Sequence, residues 1–283
     1  MKGWLIVNGF LKSAAFDRLY DRLIEAASGQ GVLLDKVTND ALFPFPDAID
    51  DAPDFALLWD KDVRLGARLR QAGVPVFNAP ESIAVCDDKT LTYLALLGKV
   101  PMPETCVLPL TFAGYSQLDF LRGALDRLGL PCVLKEGVGS FGEQVYLIQS
   151  LEEAEAHIAR LSGRPLLLQR FIRESAGRDV RVYVAGDRCV AAMERIAPPG
   201  NFRANQMGGG TAVPHRITRE EEELALHSVQ ELGLTFGGVD LLAGEDGPLL
   251  CEVNSNAHFS ALEKITGVSV AREIIRAVIG ESS

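Results

Sequence analysis

Apolar residues open the chain as a continuous run, Trp4-Leu5-Ile6-Val7, and Gly9 follows where the backbone must turn. Phe16, Leu19, Tyr20, Leu23 and Ile24 then recur at helical spacing, so a strand over residues 3–8 passes into an amphipathic helix. The same alternation returns downstream. Residues 55–59 read as a strand, Leu65, Leu69 and Ala72 mark a helix that Gly73 ends, and residues 74–78 read as the next strand. Strands alternating with helices over about 80 residues predict a small parallel sheet with helices on its faces.

The texture changes near residue 84. A helix over residues 88–97, capped by Asp87 or Asp88, runs into Pro101 and Pro103. Next come a strand (132–136), a glycine-rich hairpin (137–142), a second strand (144–148), a helix (151–161) and a strand (166–171). Residues 180–184 and 189–195 pair around Ala185-Gly186-Asp187, and a helix over 219–232 follows the glycines at 208–210. A last hairpin turns at 244–247 and a helix covers 270–279. Hairpins dominate, so this part is α+β with antiparallel sheets.

Composition narrows the function. A length of 283 residues suggests two domains. Lys and Arg number 28 against 38 Asp and Glu, a net charge of −10, which argues against a broad nucleic-acid-binding face. The longest apolar runs fall far short of the roughly 20 residues of a spanning helix, and no export signal opens the chain. The five cysteines are widely spaced without a C-x-x-C pair, which predicts free thiols in a reducing cytosol. A cytoplasmic protein that touches neither membrane nor nucleic acid is expected.

The sharpest chemical signal is the last hairpin. Pairing symmetric about Asp246 sets Asp240 opposite Glu252, and period-two alternation puts Asn254 on the same face. Facing carboxylates repel, and a divalent cation would relieve them while using all three side chains as ligands. Hard oxygen donors without Cys or His favour Mg²⁺ or Mn²⁺. A solvated sheet face accounts for one such carboxylate but not for three oxygen-bearing groups within apolar strands. Strict alternation also puts Leu250 on the face of Glu252.

Lys135 ends an apolar strand beside Gly137-Val138-Gly139-Ser140-Phe141-Gly142, an arrangement that suits a phosphate. It is neither a P-loop nor a dinucleotide fingerprint, and glycine hairpins also join strands with no ligand at all. Arg195 ends a strand, and Arg203 and Asn205 sit on an irregular loop where they could clamp phosphoryl oxygens. Lys89 in a first helical turn opposes the helix dipole and hints at a nearby anion.

Taken in order, Asp88-Lys89, Lys135 before the glycines, Gln169-Arg170-Phe171-Ile172, Arg178-Asp179-Val180-Arg181, Arg203-Ala204-Asn205, Gly237-Gly238-Val239-Asp240 and Cys251-Glu252-Val253-Asn254 resemble an ATP-grasp ligase. The chain is most similar to the RimK-like carboxylate–amine ligases. The resemblance implies a pre-ATP-grasp Rossmann-like α/β domain over 1–84 and an ATP-grasp domain over 85–283. Within the latter it places a lid at about 104–165 and a C-terminal antiparallel-sheet subdomain at about 166–283. It implies that Lys89 and Lys135 contact ATP phosphates, with Gly139 and Ser140 in the covering loop. The hinge Gln169, Arg170, Phe171 and Ile172 would hold adenine largely by its backbone. Asp179 and Arg181 would stand near the nucleotide, with Arg203 and Asn205 beside the γ-phosphate as catalytic groups. Asp240, Glu252 and Asn254 would hold two metal ions.

Two departures matter. Arg170 stands where the family often has an acidic residue. Ser255-Asn256-Ala257-His258-Phe259 replaces a small residue followed by Pro-Gly, beside the acceptor pocket, where His258 is either a substrate contact or a local hydrogen-bonding group. The implied reaction joins a small-molecule, peptide or protein carboxylate to an amino acid amine through an acyl phosphate, converting ATP to ADP and phosphate. The alternatives are a ligase that modifies a ribosomal peptide and a non-catalytic ATP-binding regulator. A homo-oligomer is compatible with each.

Overall fold

The computed structural model describes residues 1–42, 49, 51–139, 143–204 and 209–282. Strands β1 (Lys2–Val7), β2 (Leu33–Thr38), β3 (Phe55–Leu58) and β4 (Val76–Phe77) form a sheet in the order β2-β1-β3-β4, every neighbouring pair parallel. Helices α1 (Ala14–Ser28) and α2 (Val63–Gln71) connect strands of this sheet. All four residues of β3 are buried, as a continuous apolar run in a parallel sheet requires. The sequence pattern does not foretell β2, because it is an edge strand with only Leu34 buried and its alternation is weak.

Two helices then meet at Asp88. Helix α3 (Pro80–Asp87) ends where α4 (Lys89–Leu96) begins, and the Asp88 carboxylate caps α4 by accepting the Thr90 N–H at 2.8 Å.

The second sheet contains β5 (Thr105–Val107), β6 (Cys132–Glu136), β7 (Val145–Ile148) and β8 (Leu166–Arg170) in the antiparallel order β5-β8-β6-β7. Helices α5 (Asp119–Leu128) and α6 (Leu151–Arg160) cover it, Leu121, Leu125 and Ile158 sharing a core with Leu134 and Leu168. Strand β8 pairs between β5 and β6, so the sheet that carries Lys135 extends to Arg170.

The third sheet has the antiparallel order β11-β10-β9-β12-β13, from β9 (Arg178–Ala185), β10 (Arg188–Ile196), β11 (Thr211–Pro214), β12 (Phe236–Gly244) and β13 (Gly247–Asn254). Helix α7 (Arg219–Glu231), started by a Thr218–Glu221 capping box, buries Leu224 and Val229 against Val182, Val239 and Leu241. On the opposite face, α8 (Ser260–Thr266) and α9 (Val270–Ser282) share a core with Tyr183, Phe236 and the first sheet's Leu5, Phe55 and Trp59. The face that carries Tyr183 therefore belongs to two territories. One half is packed against the first sheet, and the other turns toward the second sheet and carries the polar residues of the site. Among the described residues, no helix is long and apolar enough to cross a membrane.

Candidate active site

The β12–β13 hairpin sets Asp240 opposite Glu252 and Gly238 opposite Asn254, as the sequence predicts, but by a different route. The turn is the two-residue Glu245-Asp246, not one centred on Asp246. Unbroken pairing from that turn would bring Cys251 opposite Asp240. A bulge at Cys251 absorbs one residue and returns Glu252 to Asp240. The same bulge corrects the expected orientation of Leu250, which pairs with Leu241 and joins the core under α7, away from Glu252.

The repulsion between the facing carboxylates is already relieved by the protein's own cations. Arg181 lies directly across from Asp240 on β9 and grips it with two donors, Nη2 reaching Oδ2 at 2.8 Å. Arg195 lies across from Asp179, donates to both its oxygens at 2.6 Å and reaches Asp240 Oδ2 at 2.9 Å. Lys89 Nζ stands 3.6 Å from Glu252 Oε1. Burial works against the Asp240 charge, but Arg181 and Arg195 outweigh it and hold that carboxyl below the usual range. Asp179 goes the other way, raised by burial and by the neighbouring Asp240 charge against the pull of Arg195. Arg195 is thus a member of the site to which the sequence assigned no role. Its signal was the alternation of charges at 179 and 181 on a strand whose neighbours carry Arg195 and Asp240.

A cavity of about 860 Å³, open mouth included, lies between the second and third sheets. Its apolar lining comes from Val133, Val145, Phe171, Ile172, Phe202 and Leu242, with Phe171 and Phe202 edge-to-face at 6.1 Å. Its polar lining includes Lys89, Lys135, Arg203, Asp179, Asp240 and Glu252. An apolar slot beside three cations matches a flat base joined to a polyanion. Lys135 is buried, and its ammonium lies 3.7 Å from Cys251 Sγ, which the bulge directs into the cavity. Burial pushes the Cys251 thiol up, against the pull of Lys135.

The glycine loop is tied to α4. The Lys89 N–H donates to Gly137 O at 2.8 Å and its ammonium to Gly139 O at 2.9 Å. Position 137 must be glycine, because a Cβ there would stand 2.6 Å from the Asp88 carboxylate. Gly139 lines the cavity, whereas Ser140 and Asn205 lie outside the described residues.

The remaining expected residues divide. Gln169 and Arg170 line the cavity, but their side chains are engaged elsewhere: Gln169 donates to Thr105 Oγ1 at 2.9 Å, and Arg170 binds Glu104 and the Arg127 carbonyl. Arg181 and Asn254 are not among the lining residues. The Asn254 amide nitrogen is buried without a hydrogen-bond partner among the described residues.

The donor set suits a hard cation. No cluster of three or more His, Cys, Asp and Glu exists among the described residues, so a cation here would rest on Glu252, the Asn254 amide oxygen and the lone pairs that the arginines leave on Asp240.

The RimK-like ATP-grasp domain model matches residues 87–278. The chain belongs to that family. It is 40% identical over 207 residues to a probable alpha-L-glutamate ligase 2 of Shewanella denitrificans, the match covering 72% of this chain and 67% of that protein. Among solved structures it superposes on a RimK domain ATP-grasp protein of Sphaerobacter thermophilus with a TM-score of 0.74 and 24% identity, covering 98% of this chain and 99% of the other. The ATP-grasp ligase PsnB, complexed with a variant of its minimal precursor, Mg and ADP, gives 0.74 at 18% identity over 99% and 98% of the two chains. The α+β ATP-grasp fold is therefore established, and the chain is an enzyme of the ligase class.

Proposed function

We propose that this ligase joins a small-molecule or peptide carboxylate to an amino acid amine through an acyl phosphate. The observation that carries the reading is one cavity lined both by apolar side chains and by Lys89, Lys135, Arg203, Asp240 and Glu252. The base of ATP lies against the apolar lining beside Phe171 and Ile172, and its phosphates extend toward the lysines. The substrate carboxylate attacks the γ-phosphorus, ADP leaves, and the amine then displaces phosphate to form the amide. Arg203 stabilises charge on the transferring group, and the loop at 137–139 keeps water away from the acyl phosphate. Glu252, Asn254 and Asp240 would hold Mg²⁺ or Mn²⁺, in one or two ions, which supplies charge neutralisation on the phosphoryl oxygens. The reading keeps a division between residues 84 and 85 and a cytoplasmic setting.

The products test it. A screen of amino acids with di- and tripeptides should release ADP and phosphate, and hydroxylamine in place of the amine should trap a hydroxamate. Pyrophosphate as the stoichiometric product would rule out the acyl phosphate.

A further inference from the structure

Charged residues of alternating sign stand in one row across three strands. Arg181 on β9 lies opposite Asp240 on β12, which lies opposite Glu252 on β13. Two residues along β9 from Arg181, and so on the same face, Asp179 lies opposite Arg195 on β10. Asp240, Arg181 and Arg195 are each more than nine-tenths buried. Asp179, Asp240 and Glu252 line the cavity, whereas neither Arg181 nor Arg195 does, so the guanidinium groups back the carboxylates.

Hydrogen bonds consume most of the lone pairs on Asp240. Its Oδ2 accepts from Arg181 Nη2 at 2.8 Å and from Arg195 Nη2 at 2.9 Å. Those two donors use both lone pairs of that oxygen. Oδ1 accepts from Arg181 Nε, which leaves it one. Asp240 therefore offers a cation a single site on a single oxygen. Glu252 differs. Among the described residues it pairs with Lys89 alone, at 3.6 Å and beyond hydrogen-bond reach, so it keeps its lone pairs for a metal.

Charge works in the same direction. The two arginines with Lys89, Lys135 and Arg203 make five cations at the cavity, against the three carboxylates that line it. Such a balance repels a lone divalent ion and attracts a polyanion. Two of the five cations touch Asp240 itself. If the arginines served only to neutralise buried acids, losing one would loosen the site and weaken metal binding. Restraint of Asp240 predicts the reverse.

We infer that Arg181 and Arg195 are positioning residues that limit Asp240 to one oxygen for a metal and set a low intrinsic affinity of the hairpin for divalent cations. This rests on the ligase reading and deepens it: the cation is loaded together with the polyphosphate, whose negative charge offsets the arginines, and Glu252 is its principal protein ligand. It also gives Arg195 a role.

The test is Mn²⁺ binding to the full chain without nucleotide, read from the electron paramagnetic resonance signal of the free ion, with melting curves recorded alongside. Arg181→Met and Arg195→Gln should each tighten Mn²⁺ binding about tenfold or more. Arg181→Lys, which keeps the charge and loses the fork, should fall between Arg181→Met and the unmodified chain. A damaged fold lowers metal affinity, so a gain separates positioning from a merely structural role, and a folding defect in one variant leaves the others to decide. Glu252→Gln added to Arg181→Met should abolish the gain, which locates the ion on the hairpin. Mn²⁺ affinity that is unchanged or lower in the folded arginine variants, or a gain that survives Glu252→Gln, would overturn the inference. ADP release from a carboxylate and an amine by the unmodified chain, with no gain in the variants, would overturn it and leave the ligase reading standing. A gain that depends on Glu252, with no ADP release from any pair, would uphold the restraint of Asp240 and reject the ligase reading.

Discussion

Asp240 is gripped by two guanidinium groups and still faces a second carboxylate, so its neighbours divide the work of neutralising it. Arg181 and Arg195 compensate Asp240, while among the described residues Glu252 pairs with Lys89 alone, at 3.6 Å, and lines the cavity. The two carboxylates are therefore not equivalent. Removing Asp240 would take from the buried Arg181 the carboxylate it grips and leave Arg195 to Asp179, a costly change. Removing the Glu252 charge leaves nothing buried and unpaired. Glu252→Gln should lower kcat by about a hundredfold or more, because the lost charge acts on the transferring phosphoryl group. The Lys89 pair is partly exposed, so its loss should cost about 1 kcal/mol at most, a shift of about 2–4 °C. Thermal melts paired with ADP release at saturating ATP and Mg²⁺ check both halves. Near wild-type turnover would remove Glu252 from the reacting centre.

At the scale of the element, the bulge at Cys251 decides which side chains see the cavity. It lets two consecutive residues, Cys251 and Glu252, line the cavity and turns Leu250 to the core beneath α7. Leu250 is 2% exposed and packs with Leu241 and Val253. Leu250→Ala should therefore cost about 2–4 kcal/mol, and the folded fraction should keep its turnover. Urea unfolding reads the first quantity and specific activity per folded molecule the second. A stable variant with altered kinetics would place Leu250 back on the site face.

For the whole molecule, the decisive contact is made by Asn78, fully buried at the end of β4. It donates to Phe236 O at 2.9 Å and to Ser255 O at 3.0 Å, and accepts from the Thr235 and Phe236 N–H groups at 2.8 and 3.2 Å. One side chain thus holds the start of β12 and the residue after Asn254 against the first sheet. Apolar packing among Trp59, Tyr183 and Phe259 seals the same seam but is non-directional. Asn78→Ala leaves four buried backbone groups without partners and should cost about 3 kcal/mol or more. Denaturant unfolding measures it; a loss under about 1 kcal/mol would show that packing alone sets the alignment.

The linear chain was enough to determine the strand–helix alternation, the antiparallel character of the second part, and the presence of Asp240 and Glu252 on the two strands of the last hairpin. These follow from periodicity and from the order of short motifs, both local properties. It did not determine the edge strand β2, the place of β8 in the second sheet, or the direction of Leu250. Strand order depends on partners far away in sequence, and a bulge inverts alternation without leaving a mark in composition. The tertiary structure alone assigned two arginines to the Asp240 charge, because only register across β10, β9 and β12 brings them to one carboxylate. It alone linked Asn8, Asn39 and Asn256 to Asp60 by hydrogen bonds, since polar residues beyond the ends of separate strands meet only after the sheet has folded and the last hairpin has docked on it.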